Sequence, residues 1–442
     1  MDYAAAMREL ESALRFGIEP SLDGICALTD VLGRAQDAFA SVQVTGTNGK
    51  SSTTRLCAAL LSAEGLATAA YTSPHLESYT ERIELGGRPV SEADFALAMT
   101  AATQAALAVG SASSFTEFEL LTAAALWLMR ERGVDVACLE VGMGGRWDST
   151  SVVSPAVAVI TGVGLDHTER LGSTVELIAA DKAQIIKPGA SVVLGPGTEG
   201  VVGVFLERAA EFGLHPRFVI EDPDESLVDE ALTVRFEVRR HPDRPGGDLV
   251  LDVRGVHARY DDLTVVAPAY QAPNVAVAIA AAECALGRAL DADAVRGALA
   301  AMTFPGRFEL LVADPPLVID GAHNPQAAGV LAIAIADAWP DESMRPLCVL
   351  GVLSDKDAAG IVHALAPVVD AFVVTQPVSP RALDAAQLAA IVECATGAWP
   401  EIRPDLADAL AHARTRAGGR GVVVTGSLYT AGQARAMVRA AH

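Results

Sequence analysis

The chain has 442 residues, which is enough for two or three domains with full hydrophobic cores. Its 51% hydrophobic and 20% charged content is that of an ordinary globular protein, while the formal net charge of −22 disfavours nucleic acid and anionic membranes as partners. No apolar run reaches the roughly 18 to 20 residues of a membrane helix, and the start, Met1-Asp2-Tyr3, lacks the layout of a secretion signal, so we expect a cytoplasmic protein.

Six cysteines are scattered along the chain, mostly within apolar segments, and no two of them form a Cys-x-x-Cys pair. This pattern predicts buried thiols rather than disulfides or zinc ligands. The six are Cys26, Cys57, Cys138, Cys284, Cys348 and Cys394.

Apolar runs typical of strands alternate with Ala/Leu-rich helical stretches over residues 1–300, which predicts a doubly wound α/β domain. The candidate strands are 39–45, 134–141, 156–163 and 191–195. Between residues 219 and 266 the pattern becomes alternating and charged, which predicts antiparallel hairpins at the edge of this domain.

A break at Thr303-Phe304-Pro305-Gly306-Arg307 follows two Ala-rich helical stretches, the first of them over residues 272–286. We therefore predict a domain boundary there, with one domain over 1–301 and another over 302–442. The second α/β set has candidate strands at 317–320, 347–353, 371–375 and 421–425.

The segment Val42-Gln43-Val44-Thr45-Gly46-Thr47-Asn48-Gly49-Lys50-Ser51-Ser52 runs from an apolar strand into a glycine-bracketed turn and a lysine. It predicts a nucleotide-phosphate loop, because backbone N–H groups, a helix N-terminus and the lysine charge all favour an anion there. The spacing is shorter than the general pattern, since Val44 stands where that pattern has a glycine. The alternative is a plain turn with a surface lysine, but the helical spacing of Leu56, Leu60 and Leu61 argues against it.

Three polar clusters follow apolar stretches of the first domain, at the edge where open parallel sheets bind ligands. They are Ser73-Pro74-His75, Glu140 before a glycine run, and Asp166-His167. A carboxylate at this edge suits Mg²⁺ held together with ATP oxygens. Glu140 is the stronger candidate, because the glycines that follow it leave room for a ligand. From the residues alone, His167 is favoured as a capping histidine and Lys182 as a solvated lysine.

In the second domain, Asp320-Gly321-Ala322-His323-Asn324-Pro325 places an acid, a histidine and an amide directly after a strand. Ser354-Asp355-Lys356-Asp357 and Thr425-Gly426-Ser427 follow two further strands in the same way. Three such clusters predict that this domain also faces a ligand.

Together these motifs resemble the folylpolyglutamate synthase/dihydrofolate synthase family, within the Mur ligase superfamily, over nearly the whole chain. The matching blocks, in family order, are Thr45-Gly46-Thr47-Asn48-Gly49-Lys50, Thr72-Ser73-Pro74-His75-Leu76, Leu139-Glu140-Val141-Gly142-Met143-Gly144-Gly145-Arg146, Leu165-Asp166-His167-Thr168, Pro305-Gly306-Arg307-Phe308, Asp320-Gly321-Ala322-His323-Asn324-Pro325 and Ser354-Asp355-Lys356-Asp357.

The resemblance implies an α/β fold with an N-terminal, P-loop-containing Mur-ligase-type ATPase domain that carries a small β edge, and a C-terminal Rossmann-like glutamate ligase domain. It implies an ATP-dependent ligase that adds L-glutamate to dihydropteroate or reduced folates. The acceptor carboxylate becomes an acyl phosphate, which the amino group of glutamate attacks. The implied cofactors are ATP and Mg²⁺, and the implied partners are small-molecule substrates only, with a monomer and no nucleic acid or membrane.

The resemblance also implies roles for individual residues, and it reverses the readings of His167 and Lys182 given above. The implied ATP contacts are Gly46, Thr47, Asn48, Gly49, Lys50, Ser51, Ser52, Asn274, Arg307 and Asp320. The implied Mg²⁺ ligands are Ser73, Glu140, His167 and Ser51. The implied catalytic residues are Lys50, His323 and a carbamylated Lys182. The implied acceptor contacts are Glu19, Pro20, Ser21, Leu22, Pro74, Glu117, Phe118, Glu119, Leu120, Trp147, Asp148 and Ser149, with Lys356 and Ser427 for glutamate.

Three positions depart from the family pattern. Ser51 replaces a common glycine, so either Ser51 or Ser52 takes the metal role. Gln43 stands where a histidine is frequent, and Ser151 stands where an asparagine is expected beside the acceptor pocket, which leaves the acceptor open. The alternatives are a Mur-type amide ligase for a different carboxylate, and a P-loop ATPase without ligase activity, which gives no reason for the second-domain clusters.

Overall fold

The computed structural model describes residues 1–13, 21–110, 114–222 and 232–440. The chain divides into two compact units. The first comprises Met1–Glu237, Leu251–Leu263 and Ala272–Ala301, and the second comprises Val238–Val250, Thr264–Gln271 and Met302–His442. No helix within the described ranges is long and apolar enough to cross a membrane.

The larger sheet contains eleven strands of the described chain. They are β1 (Ala40–Thr45), β2 (Thr68–Tyr71), β3 (Ile83–Leu85), β4 (Arg88–Pro89), β5 (Val136–Glu140), β6 (Val157–Gly162), β7 (Ser191–Gly197), β8 (Arg217–Glu221), β9 (Thr233–Arg240), β10 (Asp248–Arg254) and β11 (Arg259–Val266). Their order across the sheet is β11-β10-β9-β8-β7-β6-β1-β5-β2-β3-β4. The most buried of them are β1, β2, β5, β6 and β7.

Strand β1 lies in the middle of this sheet, parallel to β5 on one side and to β6 on the other. Val44 is in register with Glu140, and Thr45 is in register with Ile160. The loops that follow these three strands therefore leave the same edge of the sheet, which is where a doubly wound fold places its ligand.

Ten helices of the described ranges lie between or around these strands. They are α1 (Tyr3–Ala13), α2 (Asp23–Val31), α3 (Lys50–Ala63), α4 (Glu92–Val109), α5 (Glu117–Glu131), α6 (Thr168–Leu171), α7 (Val175–Lys182), α8 (Val202–Ala210), α9 (Ala272–Leu286) and α10 (Ala292–Ala301). Helix α3 packs against α9, and both are lined with small and branched apolar side chains.

Local signals account for where several of these helices begin. The Ser91 hydroxyl accepts a hydrogen bond from Asp94 N at the start of α4, and Thr116 with Glu119 forms a capping box at the start of α5. Helices α1, α2, α4 and α5 share one hydrophobic core. Leu10 and Phe95 are fully buried in it, and each such side chain contributes about 1.5–3 kcal/mol.

The second unit contains a six-stranded sheet of order β12-β13-β17-β14-β15-β16, with β12 antiparallel to β13 and the remaining pairings parallel. Its strands are β12 (Glu309–Ala313), β13 (Pro316–Ile319), β14 (Leu347–Leu350), β15 (Ala371–Val374), β16 (Glu401–Ile402) and β17 (Val422–Thr425). Its helices are α11 (Pro325–Ala338), α12 (Ala358–Leu365), α13 (Ala385–Thr396), α14 (Leu406–Ala417) and α15 (Leu428–Ala440).

Four helices of this unit begin after an Asn or Asp whose side chain accepts a hydrogen bond from the first turn. The caps are Asn324, Asp357, Asp384 and Asp405. Two residues of the recognisable sequence blocks, Asn324 and Asp357, thus have a structural role.

The predicted α/β fold class is confirmed, and each of the eight predicted strands occurs within a few residues of its predicted ends. All six cysteines are free, and Cys57, Cys138 and Cys348 are buried as predicted. Cys284 is half-buried, and the prediction is wrong for Cys26 and Cys394, which are exposed. Those two residues lie on the outward faces of α2 and α13, and a small apolar residue in an Ala-rich helix carries no signal of which face it occupies.

Candidate active site

The loop after β1 is held in a tight turn by its neighbours. Gly46 has φ 154° and Gly49 has φ 82°. A Cβ atom on Gly46 would lie 1.9 Å from Thr161 Oγ1, and one on Gly49 would lie 2.5 Å from Asn274 Oδ1. Thr161 Oγ1 also donates to the carbonyl of Asn48 (2.6 Å). Only glycine fits these two places, and α3 begins directly after them, so the turn has the form of an anion cradle.

Two lysines bind carbonyl groups of this turn. Lys50 Nζ donates to the carbonyls of Gly46 (3.1 Å) and Thr47 (3.2 Å), and Lys182 Nζ donates to the carbonyl of Gly46 (2.9 Å). Lys182 is only 4% exposed, which excludes a solvated lysine. Burial, and then the nearby charge of Lys50, lowers the pKa of Lys182 to about 7.

Lys50 and Lys182 line one cavity with the turn and with the loops that follow β5 and β6. The residues that close it on the other sides are Gly142, Met143, Gly144, Asp166, His167, Leu171 and Ile178. The predicted phosphate loop, catalytic lysines and His167 therefore share one site.

Glu140, 2% exposed at the end of β5, joins two other predicted metal ligands. Ser51 Oγ donates to Glu140 Oε1 (2.9 Å), and the backbone N–H of Ser73 donates to Glu140 Oε2 (3.0 Å). The Ser51 hydroxyl thus reaches this carboxylate from the first turn of α3.

These side chains fit Mg²⁺ rather than a nitrogen- or sulfur-bound metal. The described residues contain no group of three or more His, Cys, Asp or Glu side chains arranged for a metal ion. Mg²⁺ needs no such group, because it usually binds one or two carboxylates together with substrate phosphates and water. Glu140 and the Ser51 hydroxyl supply hard oxygen atoms next to the phosphate loop.

His167 differs from the other predicted ligands. Its φ is 52°, its side chain is 40% exposed, and its Nε2 lies 3.8 Å from Asp166 Oδ2. It lines the cavity with Lys50 and Lys182, on the loop after β6. The structure thus places His167 in the site, with an imidazole that is not the oxygen ligand Mg²⁺ prefers.

The predicted acceptor contacts lie on three elements of the first unit. Asp148, 7% exposed, accepts hydrogen bonds from Met143 N (3.0 Å) and from the N and Oγ1 of Thr150 (3.0 and 2.6 Å). Burial raises its pKa. Phe118 stacks at 6.0 Å from Tyr71, and a Cβ atom on Gly142 would meet its ring at 2.8 Å. Phe118 and Asp148 therefore both touch the loop after β5.

The other residues predicted to contact the acceptor differ in their burial and in the neighbours they contact. Glu119 is committed to the α5 cap and Glu117 lies 3.5 Å from Arg82, while Leu120 and Ser149 are buried. Trp147 is 45% exposed under the Arg146 guanidinium, 4.9 Å from its ring centre. Ser21 and Leu22 precede α2, and Pro74 follows Ser73 through a cis peptide bond. Glu19 and Pro20 lie outside the described residues.

In the second unit, Asp320 is 4% exposed and orders the turn that carries Arg307. Its carboxylate accepts hydrogen bonds from Tyr270 Oη (2.7 Å), Phe308 N (2.8 Å) and Ala322 N (2.8 Å). Burial raises the pKa of Asp320, which the Arg307 charge partly offsets.

The remaining predicted residues of this unit follow β13, β14 and β17. His323 Nδ1 lies 2.9 Å from the carbonyl of Gly321, two residues after β13. Lys356 follows β14, directly before the α12 cap. Ser427 is 1% exposed, and its hydroxyl bonds Thr430 Oγ1 (2.7 Å) at the start of α15. The three sit at strand ends as predicted, although the Ser427 hydroxyl is already engaged.

Sequence reasoning missed two residues that shape these sites. Thr161, in β6, contacts the phosphate loop, and Tyr270 binds Asp320 from a distant part of the sequence. A polar residue near the end of a buried strand was a usable signal for Thr161. Nothing in the sequence indicates the pairing of Tyr270 with Asp320, because 50 residues separate them.

Comparison with known proteins places this chain among the Mur ligases. The family model described as the Mur ligase middle domain matches residues 44–194, and the one described as the Mur ligase glutamate ligase domain matches residues 306–428. These two matches contain the phosphate loop and the Asp320 turn, respectively.

Relatives narrow the class further. The chain is 37% identical to the dihydrofolate synthase/folylpolyglutamate synthase of Mycobacterium tuberculosis, over 95% of this chain and 90% of that protein. It is 33% identical to the Escherichia coli protein of the same name, over 87% and 84%. The chain therefore belongs to the dihydrofolate synthase/folylpolyglutamate synthase family.

Solved structures agree with this assignment. The folylpolyglutamate synthase of M. tuberculosis, complexed with ADP, matches with a TM-score of 0.89 and 36% identity over 99% of both chains. The E. coli protein FolC, in complex with DHPP and ADP, matches with a TM-score of 0.86 and 30% identity over 100% of this chain and 98% of that one.

Proposed function

We propose that this protein is an ATP-dependent ligase that joins L-glutamate to dihydropteroate, to reduced folates or to both. ATP converts the acceptor carboxylate into an acyl phosphate, the amino group of glutamate attacks it, and the products are an amide, ADP and phosphate. Family membership supports this reaction class, and ADP is bound in matching solved structures of relatives.

The observation that carries the proposal is the convergence of the phosphate loop, two lysines and a buried carboxylate at one edge of the sheet. Lys50 and Lys182 donate hydrogen bonds to the phosphate loop. Glu140 accepts a hydrogen bond from the hydroxyl of Ser51, in the first turn of α3. Phosphoryl transfer needs fixed positive charge and N–H donors around the phosphates, and this edge supplies both.

Within this site, Gly46 to Ser52 and Asn274 bind the ATP phosphates, and Lys50 stabilises the charge on the transferring phosphoryl group. Glu140, Ser51, Ser73 and His167 hold Mg²⁺, which when bound neutralises phosphate charge. In the second unit, Arg307 and Asp320 contact ATP, with Asp320 acting by fixing the Arg307 turn, and His323 acts near the transferred phosphate.

Lys182 carries a carbamate in the working enzyme. A lysine with a pKa of about 7 is substantially neutral at neutral pH, and a neutral amine attacks CO₂. The N–C bond forms and one proton leaves to solvent, so that the buried neutral amine becomes an anion beside the metal site.

The acceptor is bound by the loop after β5 and by the first turn of α5, through Trp147, Asp148, Ser149 and the segment from Glu117 to Leu120. Pro74 and the segment from Glu19 to Leu22 complete that side. Lys356 and Ser427 bind glutamate. The functional domains are residues 1–301 for ATP and 302–442 for glutamate ligation, in a cytoplasmic monomer whose partners are these small molecules.

An acceptor screen tests this function. Purified protein with ATP, Mg²⁺ and L-glutamate should release phosphate with dihydropteroate, tetrahydrofolate or both, and a product heavier by one glutamyl residue should accumulate. Turnover with neither acceptor would reject the proposal. Turnover only with another carboxylate would identify a Mur-type ligase of different specificity, and hydrolysis that needs no amino acid would identify an ATPase.

A further inference from the structure

Gln43 ties strand β1 to the loop that follows β5. It is 0% exposed in the middle of the sheet. Its Nε2 donates to Ser151 Oγ (2.9 Å) and to Thr150 Oγ1 (3.1 Å), both more than 100 residues away in sequence. Gln43 and Ser151, two positions where the chain departs from the family pattern, are thus in direct contact.

The direction of these two hydrogen bonds follows from the other partners of the hydroxyls. Ser151 Oγ donates its proton to the carbonyl of Gly145 (2.6 Å), and Thr150 Oγ1 donates its proton to the Asp148 carboxylate (2.6 Å). Each hydroxyl has one proton, so each can only accept from Gln43. The amide nitrogen of Gln43 must therefore face them, and both of its protons are used.

The contacts continue into the loop. The Asp148 carboxylate accepts a hydrogen bond from Met143 N (3.0 Å). Thr45 lies two residues after Gln43, on the same face of β1, and its hydroxyl donates a hydrogen bond to the carbonyl of Gly144 (2.6 Å). The far end of the segment is held by Lys187, whose Nζ donates to the carbonyl of Val153 (2.6 Å). The strand that ends in the phosphate loop thus also fixes the acceptor loop.

We infer that Gln43 is a positioning residue for the carboxylate acceptor: through Ser151 and Thr150 it holds residues 142–151 at a fixed place relative to the phosphate loop. This inference rests on the proposed function for the meaning of the acceptor. It assigns Gln43 no contact with any substrate.

Gln43→Met is the informative substitution. Methionine keeps the length and apolar stem of glutamine but donates nothing, while Ser151 and Thr150 keep the acceptors for their own protons. No buried donor is left unsatisfied, so we expect the variant to fold. The tie to the loop is lost, so residues 142–149 should exchange amide protons faster, while residues 46–49 should not.

Steady-state kinetics give the second readout. We expect the acceptor KM of Gln43→Met to rise at least ~10-fold and the ATP KM to stay within ~2-fold, because the phosphate loop keeps its own contacts with Thr161 and Asn274. Thr68→Val is the matched control, since Thr68 is also buried in the sheet but its hydroxyl has no hydrogen-bond partner. It should change neither quantity.

Ser151→Ala provides a second variant that removes the same contact from the other side, and the double variant tests whether the two residues act together. We expect the acceptor KM of the double variant to rise by less than the product of the rises in Gln43→Met and Ser151→Ala. Three outcomes would overturn the inference. They are a double variant whose rise in acceptor KM equals the product of the two single rises, an unchanged acceptor KM in Gln43→Met, and amide exchange that speeds up equally in residues 142–149 and 46–49. Wild-type protein that turns over no acceptor would instead reject the proposed function, with the exchange result unaffected.

Discussion

At the scale of single residues, the carbonyl oxygen of Gly46 accepts hydrogen bonds from two lysines. Lys50 and Lys182 both donate to it, and Lys182 does so from a buried position. Two ammonium groups this close repel each other in a poorly solvated site, so one of them loses its proton easily. Under the proposed function, Lys50 acts on the phosphates, while the lowered pKa of Lys182 makes it the amine open to modification.

The charge of Lys50 should be indispensable. We expect Lys50→Ala to lower kcat by about 100-fold or more, since it removes a cation that acts on the transferring phosphoryl group. Its thermal unfolding should stay close to that of the wild type, because the Lys50 side chain donates its hydrogen bonds to carbonyl groups of its own loop. Retained turnover would mean that the loop does not bind the reacting phosphates.

The modification of Lys182 should follow its lowered pKa. With ¹³C-labelled bicarbonate, the wild type should show a carbamate carbonyl resonance that Lys182→Gln lacks and that Lys187→Gln keeps. Because the pKa of Lys182 is about 7, the signal should grow between about pH 6 and pH 8, whereas an ordinary lysine would need a pH near 10. The charges that face Lys182 are those of Lys50, Asp181, Asp166 and Asp148.

Two outcomes would contradict the carbamate. One is a wild-type spectrum without the resonance at pH 8 in excess bicarbonate. The other is a resonance that survives in Lys182→Gln, which would place the carbamate elsewhere.

At the scale of elements, the junction of β1 and α3 depends on two glycines and on α9 behind them. Gly49→Ala should place a Cβ atom 2.5 Å from Asn274 Oδ1 and distort the phosphate loop, so that ATP affinity falls at least ~10-fold. Gly65→Ala is a matched control, because Gly65 has nearly the same φ, 88° against 82°, and open space around its Cβ position.

The two variants separate strain from steric conflict. Both should lose about 1–2 kcal/mol of stability, the cost of a left-handed conformation for alanine, as measured by denaturant unfolding. Only Gly49→Ala should also lose nucleotide, as measured by titration calorimetry. Equal ATP affinity in the two variants would show that Asn274 does not confine the loop.

The turn before β12 depends on Asp320 in the same way. Asp320→Ala would leave the hydroxyl of Tyr270 and two buried backbone N–H groups without an acceptor. We expect a loss of about 3 kcal/mol or more in unfolding free energy. Asp243→Ala, at an exposed position of the same unit, should cost less than about 0.5 kcal/mol. Similar losses in both would mean that the carboxylate does not organise this turn.

The secondary-structure elements differ in how well they could be predicted from the sequence. Buried parallel strands such as β6 and β14 are nearly continuous apolar runs and were predictable. Strand β2, Thr68–Tyr71, is short and rich in alanine, so neither its period nor its composition marked it. The phosphate loop was predictable because local backbone geometry dictates its glycines, whereas the contacts of Gln43 with Ser151 and of Tyr270 with Asp320 depend on tertiary packing.

At the scale of the whole molecule, lysine is rare. The sequence contains four lysines among 33 basic residues, namely Lys50, Lys182, Lys187 and Lys356. Arginine serves where permanent charge and planar hydrogen bonding suffice, but an amine that can lose its proton, or a compact point charge on a phosphate, requires lysine. Lys50 and Lys182 therefore differ in side-chain chemistry from most basic residues of the chain, which are arginines.

The net charge of −22 gives this arrangement a further consequence. ATP, glutamate and folates are all anions, so the overall field of the protein opposes their approach. Binding must depend on local cations and N–H groups inside the site, and we expect moderate salt to weaken it less than it weakens binding to an open basic patch.

Activation of the acceptor as an acyl phosphate can be followed by isotope transfer. Acceptor labelled with ¹⁸O in its carboxylate is incubated with the enzyme, ATP, Mg²⁺ and L-glutamate, and the released phosphate is weighed by mass spectrometry. We predict that one labelled oxygen appears in each phosphate, because glutamate displaces the phosphate together with an acceptor oxygen. Phosphate that carries no label, in a reaction that still consumes ATP and forms the amide, would exclude an acyl phosphate intermediate.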